Sequence, residues 1–166
     1  MKRLAIIAAL LAASLSVMAQ GGTPLYDESI DPMEQIDNAL ARAKQDGRFV
    51  ICQVGGNWCP WCLKFAKFIT EDKDISKVIA DNYVYIHVNY DPRKSRTPET
   101  KAAAEKMLKR LGNPGRFGYP VLVVLDSGGR IIHIQDSGYL ESGSSYDKDK
   151  VLRFFKNWTP AVASIR

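Results

Sequence analysis

The sequence predicts an α/β domain in which a small mixed β-sheet carries helices on both faces. The predicted elements follow the order α-β-α-α-β-α-β-β-α, and the early β-α-β units imply strands that pair in parallel. The last two strands are joined by a short Gly-rich turn and form a hairpin, which adds antiparallel strands. No internal repeat or low-complexity segment interrupts the 166 residues.

The N-terminus has the layout of a secretory signal peptide. Lys2 and Arg3 precede an apolar run that ends at Ala19 on a small-residue cleavage pattern. This run is shorter than the ~20 residues that a membrane-spanning helix needs. We therefore expect a signal peptide at 1–19, a periplasmic or secreted protein, and no stable membrane insertion after cleavage. The polar segment 20–33, rich in Gly and Pro, is expected to be a tether.

The positive charge of the chain is weak evidence for a nucleic-acid partner. The formal net charge is +5, and the signal peptide carries two of the positive charges. Export argues further against nucleic acid. The basic segment 93–110 is expected to form the solvated face of a helix, which is typical of such charge runs. We expect no nucleic-acid partner.

The first helix and the first strand follow from the spacing of apolar residues. Ile36, Leu40 and Ala43 recur at helical spacing, and Gly47 is a natural C-terminal stop. The compact β-rich run at 48–54 then predicts a buried strand.

Two helices and a second strand follow. Apolar side chains in residues 59–70 are in helical phase, and Pro60 stands near the start, where its missing N–H costs little. Residues 71–82 continue as another short helix. The alternation of aromatic and β-branched residues at 83–90 predicts the second strand.

The third part of the domain contains the clearest helical pattern. Thr97 can cap this helix, Pro98 lies in its first turn, and Gly112 ends it. Residues 119–138 consist of two apolar runs around a Gly-rich turn, which predicts a β-hairpin.

An amphipathic helix is predicted at 145–158, and it closes the domain. The domain is therefore expected to span residues 34–158. Residues 159–166 are expected to form a C-terminal tail.

Cys59 and Cys62 form a Cys-x-x-Cys pair in the stretch GGNWCPWCLKF. They follow a buried strand and begin a helix, so free backbone N–H groups and the helix macrodipole can stabilise a thiolate at Cys59. A thiolate is the nucleophile in disulfide exchange, and helix N-termini lower the pKa of cysteine. Cys62 lies one helical turn further in, within reach of the first sulfur but more shielded. The pattern favours redox exchange.

A metal site and a permanent disulfide staple fit the pair less well. Structural zinc needs four ligands, and outside the pair the chain offers only Cys52 and the strand residues His87 and His133. A staple that closes so short a loop removes little chain entropy. We expect no metal, Cys52 as a core residue, and both histidines in structural roles.

The stretch FVICQVGGNWCPWCLKF resembles the strand–turn–helix active site of the thioredoxin superfamily, where Trp-Cys-x-x-Cys follows a central strand. The stretch GYPVLVVLDSGG resembles the second signature of that superfamily, a cis-proline before the third core strand. The resemblance covers about residues 34–158, and it is strongest to exported bacterial proteins similar to disulfide reductases. It implies the thioredoxin fold and a thiol–disulfide oxidoreductase without a bound cofactor. Its partners would be protein disulfide substrates and a redox partner protein.

The resemblance also implies roles for individual residues. Cys59 would be the attacking thiol and Cys62 the resolving thiol, and the two would form a redox-active disulfide. Trp58 would shield the first sulfur and offer an aromatic surface to a substrate. Pro120 would face the disulfide and leave the backbone of Tyr119 free to pair with an extended substrate peptide.

The sequence departs from thioredoxins proper at two places. A buried aspartate of thioredoxins is replaced by Gln53, which cannot accept a proton from Cys62, so water or another base must do so. The residues between the cysteines are Pro60 and Trp61 instead of Gly-Pro. Trp61 is either a substrate contact or a packing residue over the helix start.

Because neither intervening residue is a cation, and Lys64 is expected to project into solvent, we expect a reductant or isomerase and not a strong oxidant. A different class of function also fits the sequence, namely a thioredoxin-like binding or chaperone module with a non-catalytic disulfide.

Overall fold

The computed structural model describes residues 24–94 and 97–165, so the expected signal peptide lies outside the described residues. In chain order the elements are α1 (Pro32–Asp46), β1 (Phe49–Gly55), α2 (Pro60–Glu71), α3 (Lys73–Asn82), β2 (Tyr83–Asn89), α4 (Pro98–Arg110), β3 (Val121–Leu125), β4 (Ile131–Asp136), β5 (Glu141–Ser142), β6 (Ser145–Tyr146), α5 (Lys148–Asn157) and α6 (Pro160–Ala163). Short 3-10 turns occupy Pro114–Phe117 and Ser137–Leu140.

The central sheet has four strands in the order β2-β1-β3-β4. β1 pairs in parallel with β2 and antiparallel with β3, and β3 pairs antiparallel with β4. The predicted mixed sheet is therefore confirmed, with the parallel pair from the β-α-β unit and the antiparallel pair from the hairpin.

The helices start where the sequence places capping residues. The Asp31 carboxylate accepts hydrogen bonds from the first turn of α1, which ends at Gly47 in a left-handed conformation with φ 65°. The Thr97 hydroxyl accepts from the Thr100 N–H in α4, and Pro98 lies in the first turn. Side-chain acceptors satisfy N–H groups that would otherwise lack a partner at a helix start.

Two hydrophobic clusters lie on opposite faces of the sheet, because side chains alternate along β1. Val50, Cys52 and Val54 belong to the cluster that also includes the buried side chains of α1 and Met107 of α4. Ile51 faces the cluster built from α2, α3 and α5. Cys52 is thus the core residue that was predicted, and burial raises the pKa of its thiol to about 12.

The chain after β4 differs from the prediction. A two-stranded hairpin, β5–β6, precedes α5, and Tyr146 lies in β6 instead of opening the closing helix. That helix begins at Lys148, because the Asp147 carboxylate caps it by accepting from the Lys150 N–H. The expected tail contains α6, which the Thr159 hydroxyl caps. No helix within the described ranges is long and apolar enough to cross a bilayer.

Candidate active site

The cysteine pair lies where β1 ends and α2 begins. Cys59 and Cys62 are joined in a disulfide, with their Cα atoms 5.2 Å apart. Cys59 is the N-cap of α2, and its Sγ accepts a hydrogen bond of 3.2 Å from the Cys62 N–H. Pro60, at the first helical position, forfeits no helical hydrogen bond there. The helix start therefore offers a backbone donor to the first sulfur.

The two sulfurs differ in their surroundings. Cys62 has no solvent exposure, whereas Cys59 is 4% exposed at the edge of the same cluster. The small exposed area of the pair therefore belongs to Cys59. The order of attack that the sequence suggested requires this asymmetry.

The second motif faces the pair. The Tyr119–Pro120 peptide bond is cis, and Pro120 is buried immediately before β3. The Tyr119 carbonyl oxygen lies 3.6 Å from the Sγ of Cys59. The fold thus brings the two predicted motifs together, although they are distant in the sequence.

Trp58 lies beside the disulfide and is held on several sides. Its indole N–H donates a 2.9 Å hydrogen bond to the Tyr90 carbonyl oxygen. Its ring meets that of Tyr119 edge to face at 5.7 Å, and the Arg93 guanidinium lies 5.1 Å from its centroid. The indole is therefore a half-buried and oriented surface next to Cys59.

Trp61 packs over the helix start, which was one of the two alternatives for this residue. Its ring contacts Tyr146 edge to face at 5.5 Å, and its carbonyl oxygen accepts from the Tyr146 hydroxyl at 3.2 Å. Lys64 is exposed, as expected, and its ammonium also makes two contacts. Its ammonium lies 4.3 Å from the Trp61 ring centroid and donates to the Ser144 carbonyl, because a cation is attracted to an aromatic face. A substrate contact by Trp61 stays a prediction.

Gln53 is fully buried beneath the pair, on the face of β1 opposite to Cys52. Its amide nitrogen donates to the Tyr26 hydroxyl at 2.6 Å and to the Cys62 carbonyl at 3.1 Å. Its amide oxygen accepts from the Tyr85 hydroxyl at 2.6 Å. The side chain that replaces the acid is thus a hydrogen-bonded link between two tyrosines and the backbone of Cys62.

Tyr26 is the residue at this site that the sequence did not predict. It falls in the expected tether, yet it has no solvent exposure and packs against Cys59 and Cys62. Its N–H donates to the Asn57 side chain at 3.1 Å, and the Asn57 amide donates back to its carbonyl at 2.7 Å. The segment around Tyr26 is therefore part of the site and not only a connector. Its aromatic side chain was a local signal, but an aromatic residue alone does not distinguish a packed segment from a tether.

The two histidines occupy separate places in the fold. His87 contacts Tyr26 edge to face at 5.3 Å, and burial lowers its pKa to about 4. His133 stacks on Trp158 with a centroid distance of 4.2 Å. In residues 24–94 and 97–165, no three His, Cys, Asp or Glu side chains are grouped so that they could hold a metal ion.

Two solved structures show what this fold is similar to. A disulphide isomerase from Xylella fastidiosa Temecula1 superimposes with a TM-score of 0.66 and 21% identity, over 81% of this chain and 96% of that one. The oxidised C-terminal domain of DsbD from Neisseria meningitidis superimposes with a TM-score of 0.50 and 18% identity, over 76% of this chain and 95% of that one. At these identities the likeness concerns the fold alone.

No curated protein sequence matches the chain. A family model described as a thioredoxin-like domain matches residues 36–154, which include the cysteine pair and the Tyr119–Pro120 motif. With this match over most of the chain, and with the strand order and the disulfide described above, the protein belongs to the thioredoxin-like domain family.

Proposed function

We propose that the protein is a thiol–disulfide oxidoreductase that exchanges its Cys59–Cys62 pair with the disulfides of protein substrates. The observation that carries this proposal is the disulfide at the start of α2, in which Cys62 has no solvent exposure and Cys59 is 4% exposed. A disulfide that only stapled the fold would need no such asymmetry, and it would remove little chain entropy at this spacing.

The exchange takes place in two steps. In the reduced protein, the Cys59 thiolate attacks one sulfur of the substrate disulfide, and the other substrate sulfur leaves as a thiolate that takes a proton from water. This forms a mixed disulfide between Cys59 and the substrate. The Cys62 thiol then loses its proton to water, and its thiolate attacks the Sγ of Cys59. The Cys59–Cys62 bond forms, and the second substrate sulfur leaves as a thiolate that takes a proton from water. The substrate gains two electrons, and the pair loses them.

Backbone donors at the helix start support the first step. The Cys62 N–H already points at the Cys59 sulfur at 3.2 Å, and it can stabilise negative charge there when the pair is reduced. The helix macrodipole acts in the same direction. These groups favour a thiolate at Cys59 through the backbone of the helix start.

Four residues around Cys59 form the proposed substrate surface, namely Trp58, Trp61, Tyr119 and Pro120. The Tyr119 carbonyl beside the sulfur supports backbone pairing with an extended peptide, which is a common mode of peptide recognition. The two indoles supply apolar area on either side.

The direction that we propose is reduction or isomerisation. A strong oxidant needs its reduced form to be stabilised, and the nearest cation in the sequence, Lys64, is occupied by the Trp61 ring and the Ser144 carbonyl. A reductant needs an electron donor, so we include a redox partner protein in the proposal. The location that we propose is the periplasm or the exterior of the cell.

Turnover of a protein disulfide tests the proposal. The purified protein, with dithiothreitol as the electron source, is expected to accelerate the reduction of insulin, and Cys59→Ser is expected to abolish the acceleration. Cys52→Ala is the matched control, because Cys52 is fully buried on the opposite face of β1. An inert wild-type protein that still binds unfolded substrates would favour the binding or chaperone module instead.

A further inference from the structure

The hydroxyl of Tyr26 and the sulfur of Cys62 both lie close to Gly55 inside one buried cluster. Both residues have no solvent exposure and belong to the same cluster. A methyl group added to Gly55 would overlap the Cys62 Sγ and would lie 3.1 Å from the Tyr26 hydroxyl oxygen. Both groups are therefore among the nearest neighbours of Gly55, and a side chain at this position would occupy the space next to them.

The direction of the hydrogen bonds around Gln53 determines what the Tyr26 hydroxyl can do. The Cys62 carbonyl can only accept, so the Gln53 atom 3.1 Å from it must be the amide nitrogen. The same nitrogen lies 2.6 Å from the Tyr26 hydroxyl and donates its other proton to that oxygen. The amide oxygen then faces Tyr85, whose hydroxyl donates to it. This leaves the proton of the Tyr26 hydroxyl for another acceptor.

We propose that Tyr26 donates this proton in a hydrogen bond to the Cys62 thiolate during resolution of the mixed disulfide. The inference rests on the proposed function, and it assigns to Tyr26 the stabilisation of the resolving sulfur for which Gln53 has no acid. The Cys62 thiol loses its proton to water, and the tyrosine keeps its own. The thiolate then attacks Cys59, the bond between Cys59 and the substrate breaks, and the substrate sulfur takes a proton from water.

The charge states of the neighbouring groups agree with this role. The titratable side chains around Tyr26 are Tyr85 and His87 from β2, Tyr146 from β6 and Tyr119 from the turn before β3. Burial raises the pKa of Tyr26 and of these three tyrosines, and it lowers the pKa of His87 to about 4. All five side chains are neutral near pH 7, so Tyr26 is a donor that keeps its proton. The titration of Cys62 itself then determines the pH profile of resolution.

Tyr26 is held in position by the loop that carries the cysteines. Reciprocal hydrogen bonds of 3.1 and 2.7 Å join its backbone to the Asn57 side chain, one residue before Trp58. A hydroxyl that is fixed in this way is preorganised and needs little reordering when charge develops on the sulfur.

The two steps can be followed separately with an aromatic disulfide, 5,5′-dithiobis(2-nitrobenzoate), added to the reduced protein. Attack by Cys59 releases the first thionitrobenzoate, and attack by Cys62 on the resulting mixed disulfide releases the second. Cys52 is fully buried and contributes no fast release. Stopped-flow absorbance over a range of pH therefore gives one profile for attack and one for resolution.

For Tyr26→Phe we expect the second phase to be about tenfold slower at pH 7, since hydrogen bonds to charged groups are the stronger ones. The pH at which the rate of the second phase is half-maximal should rise by about one unit, because a tenfold change in the ionisation equilibrium of Cys62 corresponds to one pKa unit. The first phase should be unchanged. Above the Cys62 pKa the two proteins should resolve at similar rates, which a general loss of structure would not produce.

Tyr83→Phe is the matched control, because Tyr83 is also buried and donates a 2.6 Å hydrogen bond, but to the Phe155 carbonyl in the other cluster. Its resolution profile should match that of the wild type. Asn57→Ala, which keeps the hydroxyl but releases its backbone, should give a smaller shift in the same direction, and it replaces Tyr26→Phe if that variant does not fold. An unchanged midpoint in Tyr26→Phe, or an equal shift in Tyr83→Phe, would overturn the inference. A wild-type protein without the first phase would overturn the proposed function itself.

Discussion

Gln53 differs chemically from the carboxylate that thioredoxins have at this position. A carboxylate can only accept hydrogen bonds, whereas an amide both donates and accepts. Gln53 therefore connects the Tyr85 hydroxyl, the Tyr26 hydroxyl and the Cys62 carbonyl in one fully buried network. It also avoids the free-energy cost of a buried charge. The hydrogen bonds of Gln53 therefore stabilise β1 beneath the cysteines without placing a carboxylate there.

The pH dependence of stability can be predicted for His87. Burial lowers its pKa to about 4 in the folded protein, while the unfolded value is about 6.5. Since the unfolded chain binds a proton first, this contribution is fully present above pH ~6.5 and is lost as the pH falls towards ~4. The loss amounts to roughly 3 kcal/mol.

Chemical denaturation from pH 7 to pH 4 measures this effect. His87→Gln is expected to lose clearly less stability than the wild type over that window. If the free energy of unfolding changes equally with pH in both proteins, His87 does not titrate as its burial implies.

Single residues at the site were predictable where a local motif marks them. Cys59, Cys62 and Pro120 stand in short patterns with a chemical meaning, and the structure brings them together. Tyr26 was not predictable, because its contacts with Asn57 and Gln53 span about thirty residues. Contacts between residues so far apart produce no repeating pattern in the local sequence. A polar segment with one aromatic residue has the same composition whether it packs or not.

At the scale of elements, the hairpin β5–β6 supports the start of α2. Tyr146 in β6 contacts the rings of Trp61, Phe65 and Phe68, and its hydroxyl donates to the Trp61 carbonyl. A short hairpin is marginal alone and depends on packing against a larger element. This aromatic cluster supplies that packing.

We expect Tyr146→Ala to lower the free energy of unfolding by about 3–5 kcal/mol, the range for removal of a large aromatic side chain from a core. Tyr146→Phe keeps the ring contacts and should lower it by only about 1 kcal/mol, the value of one hydrogen bond. Urea denaturation monitored by tryptophan fluorescence measures both. Equal losses in the two variants would mean that the hydroxyl, and not the ring packing, holds the hairpin.

The longer elements were predictable because each repeats its pattern several times. α1 and α4 combine helical spacing with capping residues, β3 is a continuous apolar run, and β1 is apolar except for Gln53. The strands of β5–β6 have two residues each, too few for any period to appear. For the same reason Tyr146 was assigned to the neighbouring helix.

At the scale of the whole molecule, the central strands β1 and β3 bring both motifs to the same end of the sheet, and the segment before α1 packs there through Tyr26. Mixed pairing follows from the chain order, so the fold class was predictable from the sequence. The packing of the segment before α1 was not predictable, because nothing in its local pattern distinguishes it from a tether.

The reduction potential of the pair is a property of this whole arrangement. With Lys64 engaged elsewhere, we expect a potential well below the roughly −120 mV of strong oxidants and nearer to the −180 to −270 mV range of isomerases and thioredoxin. Equilibration with glutathione buffers, followed by thiol trapping, measures it. A value near −120 mV would contradict the proposed direction and would leave the fold unaffected.

The central claim is that Cys59 attacks substrate disulfides and Cys62 resolves the product, and trapping of mixed disulfides tests it most directly. Cys59→Ser and Cys62→Ser proteins are each mixed with a disulfide-bonded protein substrate, quenched with acid and separated on non-reducing gels. Cys62→Ser should accumulate an adduct that dithiothreitol releases, while Cys59→Ser should give none, because its two remaining thiols, Cys52 and Cys62, have no solvent exposure. Adducts on Cys59→Ser alone, or on neither variant, would contradict the account.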